Sequence, residues 1–236
     1  DAGAGGGDQY TCNAAGGVIG RLVGTSSAKV TATNVTNKKK VIFKQTGALK
    51  TVQYANHGGV VGQTSYAILD NCDNSADSVV FKNVYSTTSG NSNDFRHGAI
   101  VGGSQNVTIK NCDNDAHIGL SVANGSRHQN YGGMVGWAIT TTVESCTNGG
   151  DITAEVTFAP KRSFVGGIIG TDYGATVTNC EFSGKINYDE TRNDTVFQCF
   201  IGGISGYEYN TTGAITGSTF SGEINIAENL VDKTAA

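Results

Sequence analysis

The sequence predicts an all-β chain wound as a parallel β-solenoid (β-helix) of six coils, with about three short strands per coil. Three observations lead there. Ile and Val together number 37 against five Leu, and β-branched side chains suit a pleated surface better than a helix. A glycine block recurs six times along the chain. Between the blocks, apolar and polar residues alternate with period two, so each stretch has one inward face.

The composition supports a folded chain. Gly (34), Thr (27), Asn (21) and Ser (17) dominate the 236 residues, yet charged residues are only 15% and the net charge is -4, too weak to hold a chain expanded. One proline argues against a stalk or a proline-rich linker. No stretch approaches the ~20 apolar residues of a membrane-spanning helix, so no membrane insertion is expected. Scattered Lys and Arg at a net charge of -4 leave no electrostatic footprint for nucleic acid. The chain opens at Asp1 without a Met or an apolar leader and reads as a mature or trimmed product.

The blocks are Gly16-Gly17-Val18-Ile19-Gly20, Gly58-Gly59-Val60-Val61-Gly62, the variant Gly98-Ala99-Ile100-Val101-Gly102, Gly132-Gly133-Met134-Val135-Gly136, Gly166-Gly167-Ile168-Ile169-Gly170 and Gly202-Gly203-Ile204-Ser205-Gly206. Their first glycines are 42, 40, 34, 34 and 36 residues apart, and the repeats start near 16, 58, 98, 132, 166 and 202. Fourteen residues after the first glycine stand Cys72, Cys112, Cys146 and Cys180. Thr33 in the first repeat and Ser218 in the sixth are the matching positions. Three places before this column Val30, Leu69, Ile109, Val143, Val177 and Ile215 are aliphatic. One place later come the polar Thr31, Asp70, Lys110, Glu144, Thr178 and Thr216. After the column, Val79, Ile118, Ile152, Ile186 and Ile224 open a third alternating stretch.

Each repeat therefore offers three strands: the glycine block, the stretch entering the Cys column and the Ile-led stretch. One such unit cannot bury its apolar column, whereas stacked copies pair strand on strand at about 4.8 Å and give six coils roughly 29 Å tall. The domain limits follow: a Gly-rich lead at 1–13, the solenoid at 14–226 and a tail at 227–236. A propeller also repeats at about 40 residues, but its blades need four strands and aromatic signatures that a chain with one Trp lacks.

The Gly-Gly-aliphatic-X-Gly block followed by Asn71-Cys72, Asn111-Cys112 and Asn179-Cys180 resembles the GLUG repeat of secreted and surface adhesin-like proteins, over about residues 14 to 226. The resemblance implies an extracellular or cell-surface location and an adhesive or structural role, and supplies no catalytic residues. The first and last repeats depart from it by lacking the Asn-Cys turn.

The Cys column allows two states. Side chains one rung apart lie within disulfide reach, with Cys72–Cys112 and Cys146–Cys180 using all four, or they form a ladder of free thiols. Cys12 and Cys199 precede the first and sixth glycine blocks, about 24 Å apart in this fold, so a bond between them would join two molecules stacked head to tail. Such stacking into a homo-polymer is one expected partner; a host or surface glycan or protein is the other. The plain ends suggest a segment of a longer array or ends meant to be occupied.

His57 and His97 share a column but make no complete zinc site, His128 being out of register by three, and no cofactor or metal is expected. Arg96-His97 and Arg127-His128 are candidate contacts for an anionic glycan. Asp70-Asn71-Cys72-Asp73-Asn74 and Asn111-Cys112-Asp113-Asn114-Asp115 read as turns rather than calcium loops. Asn34, Asn106, Asn124, Asn193 and Asn210 are sequons and candidate glycosylation sites. No nucleophile elbow, phosphate loop or zinc-protease motif occurs, so the chain is expected to be no enzyme. The alternative function is a glycan-binding or polysaccharide-cleaving solenoid that uses the loops Thr87 to His97 and Asn124 to Tyr131.

Overall fold

A computed structural model of the chain, described at residues 14–45, 54–83, 94–122, 128–156, 162–192, 198–209 and 212–230, is an all-β parallel solenoid. Each repeat is one coil, and every coil adds one rung to four parallel sheets. The coils carry four strands, not three. The third coil shows the pattern with Asp94–Gly98, Val101–Gln105, Thr108–Lys110 continued by Asp113–Asn114, and His117–Val122. The first and second sheets flank the glycine block, the third holds the Cys column, and the fourth is the Ile-led stretch.

The extra strand arises because the glycine block is a bend, not a strand. Gly58 ends one strand and Val61 begins the next. A Cβ on Gly58 would lie 2.0 Å from the Val61 carbonyl oxygen, and one on Gly62 would lie 2.6 Å from the backbone of Ala15 in the first coil. Only residues without side chains let the two strands approach so closely at the corner. The third residue of the block points the other way, and Val60, Ile100, Met134 and Ile168 are fully buried.

The apolar columns stack as alternation predicts. Leu69, Ile109, Val143 and Val177 are in register and fully buried, as are Val79 and Ile152, with Ile118 nearly so. The first coil departs from the sequence alignment: Ala32 stands opposite Leu69 and Val35 opposite Cys72, so Val30 and Thr33 fall outside those columns. The slip comes from extra residues around Thr25 and Ala28, which close a small antiparallel bridge. Ser218 does occupy the Cys column, its hydroxyl accepting the Cys180 backbone N–H at 3.1 Å. The last strand of the fourth sheet runs Glu223–Leu230, past the position where the tail was expected to begin.

Inside the third sheet runs an amide ladder. Asn37 donates through Nδ2 to Asn74 Oδ1 (3.0 Å), Asn74 to Asn114 (3.1 Å) and Asn114 to Asn148 (2.7 Å), and Asn148 ends the series on the Gly167 carbonyl (2.8 Å). All four residues are buried. Asn74 and Asn114 are thus core residues, whereas Asn71 and Asn111, with φ of 54° and 53°, are the left-handed turns. In the fifth and sixth coils Phe182 and Phe220 replace the amides and stack, with ring centroids 5.5 Å apart.

Candidate ligand groove

In coils two to five the first sheet is buried on both faces, because the bend at the glycine block is re-entrant. Its inward residues face the fourth sheet. There the His57 ring stacks on Phe43 at 5.0 Å and His97 on Phe81 at 4.4 Å, and His57, His97 and Tyr131 follow one another at 5.1 and 5.3 Å. Burial pushes the His57 imidazole down to about 4. Burial, helped by neighbouring His57, pushes that of His97 well below its ordinary range. The column that His57 and His97 share in the sequence is an aromatic seam between two sheets.

The outward residues of the first sheet face those of the second across a groove that runs along the solenoid. The close approach is direct: a Cβ on Gly103 would lie 2.2 Å from Asn56 Oδ1. Deep in the groove Thr171 donates its hydroxyl to Asn130 Oδ1 at 2.6 Å, and Asn130 donates to the Phe95 carbonyl at 2.8 Å. Phe164 packs on Phe200 and Tyr207 at 5.6 and 4.9 Å. The Arg96 guanidinium lies between two rings, 4.0 Å from the centre of Tyr54 and 3.5 Å from that of Trp137. Only 6% of Arg96 is exposed, and its Nε has no hydrogen-bond partner among the described residues. Burial lowers its pKa to about 10, against the opposing pull of Asp94, so it remains a cation at neutral pH.

At the mouth the groove opens into a cleft of about 220 Å³ lined by Asp94, His128, Asn130, Trp137, Arg162, Phe164, Tyr173, Tyr207 and Tyr209. One wall is aromatic: Trp137, Tyr173 and Tyr209 follow at centroid distances of 5.6 and 5.2 Å, and Tyr209 is 59% exposed. The other wall is polar, because Asp94, His128 and Arg162 share one column of the first sheet. His128 Nδ1 lies 3.2 Å from Asp94 Oδ1. The lining comes from coils three to six, a length of about 14 Å at the rung spacing. Planar rings beside hydrogen-bonding groups suit a ligand with both apolar faces and polar edges.

Of the candidate glycan contacts, His128 lines this cleft and Arg96 lies behind Trp137. His97 is on the opposite face of its strand, in the aromatic seam, because adjacent strand residues point to opposite sides. Arg127, Cys12, Asn124, Asn193 and Asn210 lie outside the described residues, as do 87–93 and 124–127 of the loops expected to carry a ligand. Asn34 and Asn106 sit at left-handed turns with φ of 58° and 55°; Asn34 is exposed and accepts a hydrogen bond from Asn71 at 2.7 Å.

The disulfide pairing of Cys72, Cys112, Cys146 and Cys180 is not formed: all four are buried free thiols, and Cys199, half-buried, is in no disulfide. Each column thiol donates instead to the carbonyl two residues before it, at 3.7, 3.2, 3.3 and 3.4 Å in chain order. Each sulfur also reaches a carbonyl of the preceding coil, that of Ala32, Leu69, Ile109 and Val143, at 3.3, 3.9, 3.7 and 3.5 Å. Hydrogen bonding to Cys112, reinforced by burial, pushes the Cys72 thiol up. Hydrogen bonds to Cys112 and Cys180, again with burial, do the same for Cys146. Among the described residues no three His, Cys, Asp or Glu side chains gather where they could hold a metal ion.

A scan against protein-family models, a search of curated proteins and a search of solved structures each find no match. The β-solenoid fold rests on the structure itself, and no family model names the chain a GLUG-repeat protein.

Proposed function

We propose that this chain is a non-enzymatic adhesive module, working outside the cell or on its surface, that holds a carbohydrate chain in the groove between its first two sheets. The observation that carries the reading is the pairing of walls: Trp137, Tyr173 and Tyr209 stepping along one side, Asp94, His128 and Arg162 along the other. Sugar rings present C–H faces that stack on aromatic side chains and hydroxyl edges that bond to carboxylate, imidazole and guanidinium groups. A solenoid repeats such contacts at a fixed step, which matches a polymeric ligand. The likeness of the repeats to GLUG sequences supports the same surface role.

Cleavage is the less favoured use of the same groove. Hydrolysis of a glycosidic bond calls on two carboxyl groups, and Asp94 is the one carboxylate among the described lining residues, already beside His128. An array of neutral and acidic glycans probed with the chain, paired with a reducing-end assay on every glycan retained, tests both parts. Binding without new reducing ends supports the module. Release of new ends overturns the non-enzymatic reading, and an array with no retained glycan overturns the binding.

A further inference from the structure

Charge along the solenoid is segregated at its two ends. The first coil, residues 14–45, carries Arg21, Lys29, Lys38, Lys39, Lys40 and Lys44, all exposed, and no carboxylate. The sixth coil, 198–230, carries Glu208, Glu223 and Glu228 and no Lys or Arg. Large apolar side chains are exposed at both places: Val18, Val23 and Ile42 on the first coil, Ile215, Phe220 and Ile226 on the sixth. Each of the four sheets begins on a strand of the first coil and ends on a strand of the sixth among the described residues.

We propose that the first coil docks on the sixth coil of a second copy of this chain, continuing the four sheets in register. Extending each column by one rung shows what would meet. Arg21 belongs to the column of Gln63, Gly103, Trp137, Thr171 and Tyr207, so its guanidinium falls on the Tyr207 ring of the next copy. Lys40 precedes Val41, which pairs with Val79, and so stands in the column of Ser78, His117, Lys185 and Glu223. That column already shows that such a pair fits, since Lys185 Nζ lies 2.9 Å from Glu223 Oε2 one rung away. Ile224 meets Val41 and Ile215 meets Ala32, extending two core columns. Phe220 meets Asn37, whose amide is already bonded to Asn74 and to the Lys39 N–H within its own copy. Like ends repel and unlike ends attract, so the contact is head to tail and does not close on itself.

The test is solution mass by light scattering in reductant, which removes any contribution from Cys12 and Cys199. The unaltered chain should give multiples of 24.4 kDa at 0.05 M salt that fall toward 24.4 kDa at 0.5 M. Arg21→Glu with Lys40→Glu should be monomeric alone, as should Glu208→Lys with Glu223→Lys, because each places like charges at the junction. Mixed in equal amounts, the two variants should associate again. A monomeric unaltered chain, variants that associate on their own, or a mixture that stays monomeric would each overturn the proposal.

Discussion

The Arg96 guanidinium lies 3.5 Å from the centre of the Trp137 ring, contributed by the next coil and the neighbouring sheet. This contact ties the two walls of the groove together behind the cleft, and Tyr54 covers the other side of the cation. A buried cation whose Nε has no hydrogen-bond partner among the described residues leans on the rings around it. Trp137→Ala should cost about 1–2 kcal/mol of stability beyond the loss of packing, while Trp137→Phe should retain most of it. Chemical denaturation of the two variants checks the difference.

The His57–His97 seam makes the fold sensitive to acid. Both imidazoles are buried neutral, with His57 lowered to about 4, so the unfolded chain takes up protons first. Stability is full above about pH 6.5 and falls as pH drops from there toward 4, where His57 protonates in the folded state too. The shift of His57 corresponds to about 3 kcal/mol over that window, and His97 adds to it. Thermal melts from pH 7 to 4 should show the loss, and a variant with His57→Phe and His97→Phe should show a flatter profile.

Removing one amide from the buried ladder should cost more than removing one apolar group of its size. Asn114→Ala strips the acceptor from Asn74 Nδ2 and the donor from Asn148 Oδ1, leaving both without these partners inside the third sheet. The expected loss is about 2–4 kcal/mol, measured by urea denaturation. Replacing exposed Asn71, at the neighbouring turn, with Gly should cost under about 1 kcal/mol, since its φ of 54° suits glycine.

The thiol ladder should be indifferent to redox conditions. Melting temperature should be the same with and without reductant, and alkylation of denatured, unreduced protein should label Cys72, Cys112, Cys146 and Cys180 alike. Cys112→Ser should cost only about 1 kcal/mol, because Ser218 already uses its hydroxyl in the same way, donating to the Thr216 carbonyl at 3.3 Å.

The coil count and most inward columns were legible because strand alternation and a recurring glycine block are local signals. The fourth strand of each coil was not, since Gly58-Gly59-Val60-Val61 reads as one continuous strand and is a bend in the fold, where a Cβ on Gly58 would lie 2.0 Å from the Val61 carbonyl oxygen. The first-coil register was lost to the bridge at Thr25 and Ala28, which shifts every later position. The groove was hidden for a related reason. Phe95, Arg96 and His97 read as one inside and one outside face, yet both faces are covered. The one departure from a solvent face was the apolar Phe164 in the column of Asn56, Arg96 and Asn130, next to the polar column of Asp94, His128 and Arg162.

The chain has one tryptophan, and it lines the proposed binding cleft, so its fluorescence reports directly on the central claim. Oligosaccharides retained on the array should be titrated into the chain while Trp137 emission is followed. Carbohydrate binding in the groove predicts a saturable change in emission, weakened at least tenfold in Tyr173→Ala and unaltered in Lys82→Ala on the fourth sheet. Retention of a glycan with no change in Trp137 emission, or with equal affinity in Tyr173→Ala, would contradict the groove as the binding site.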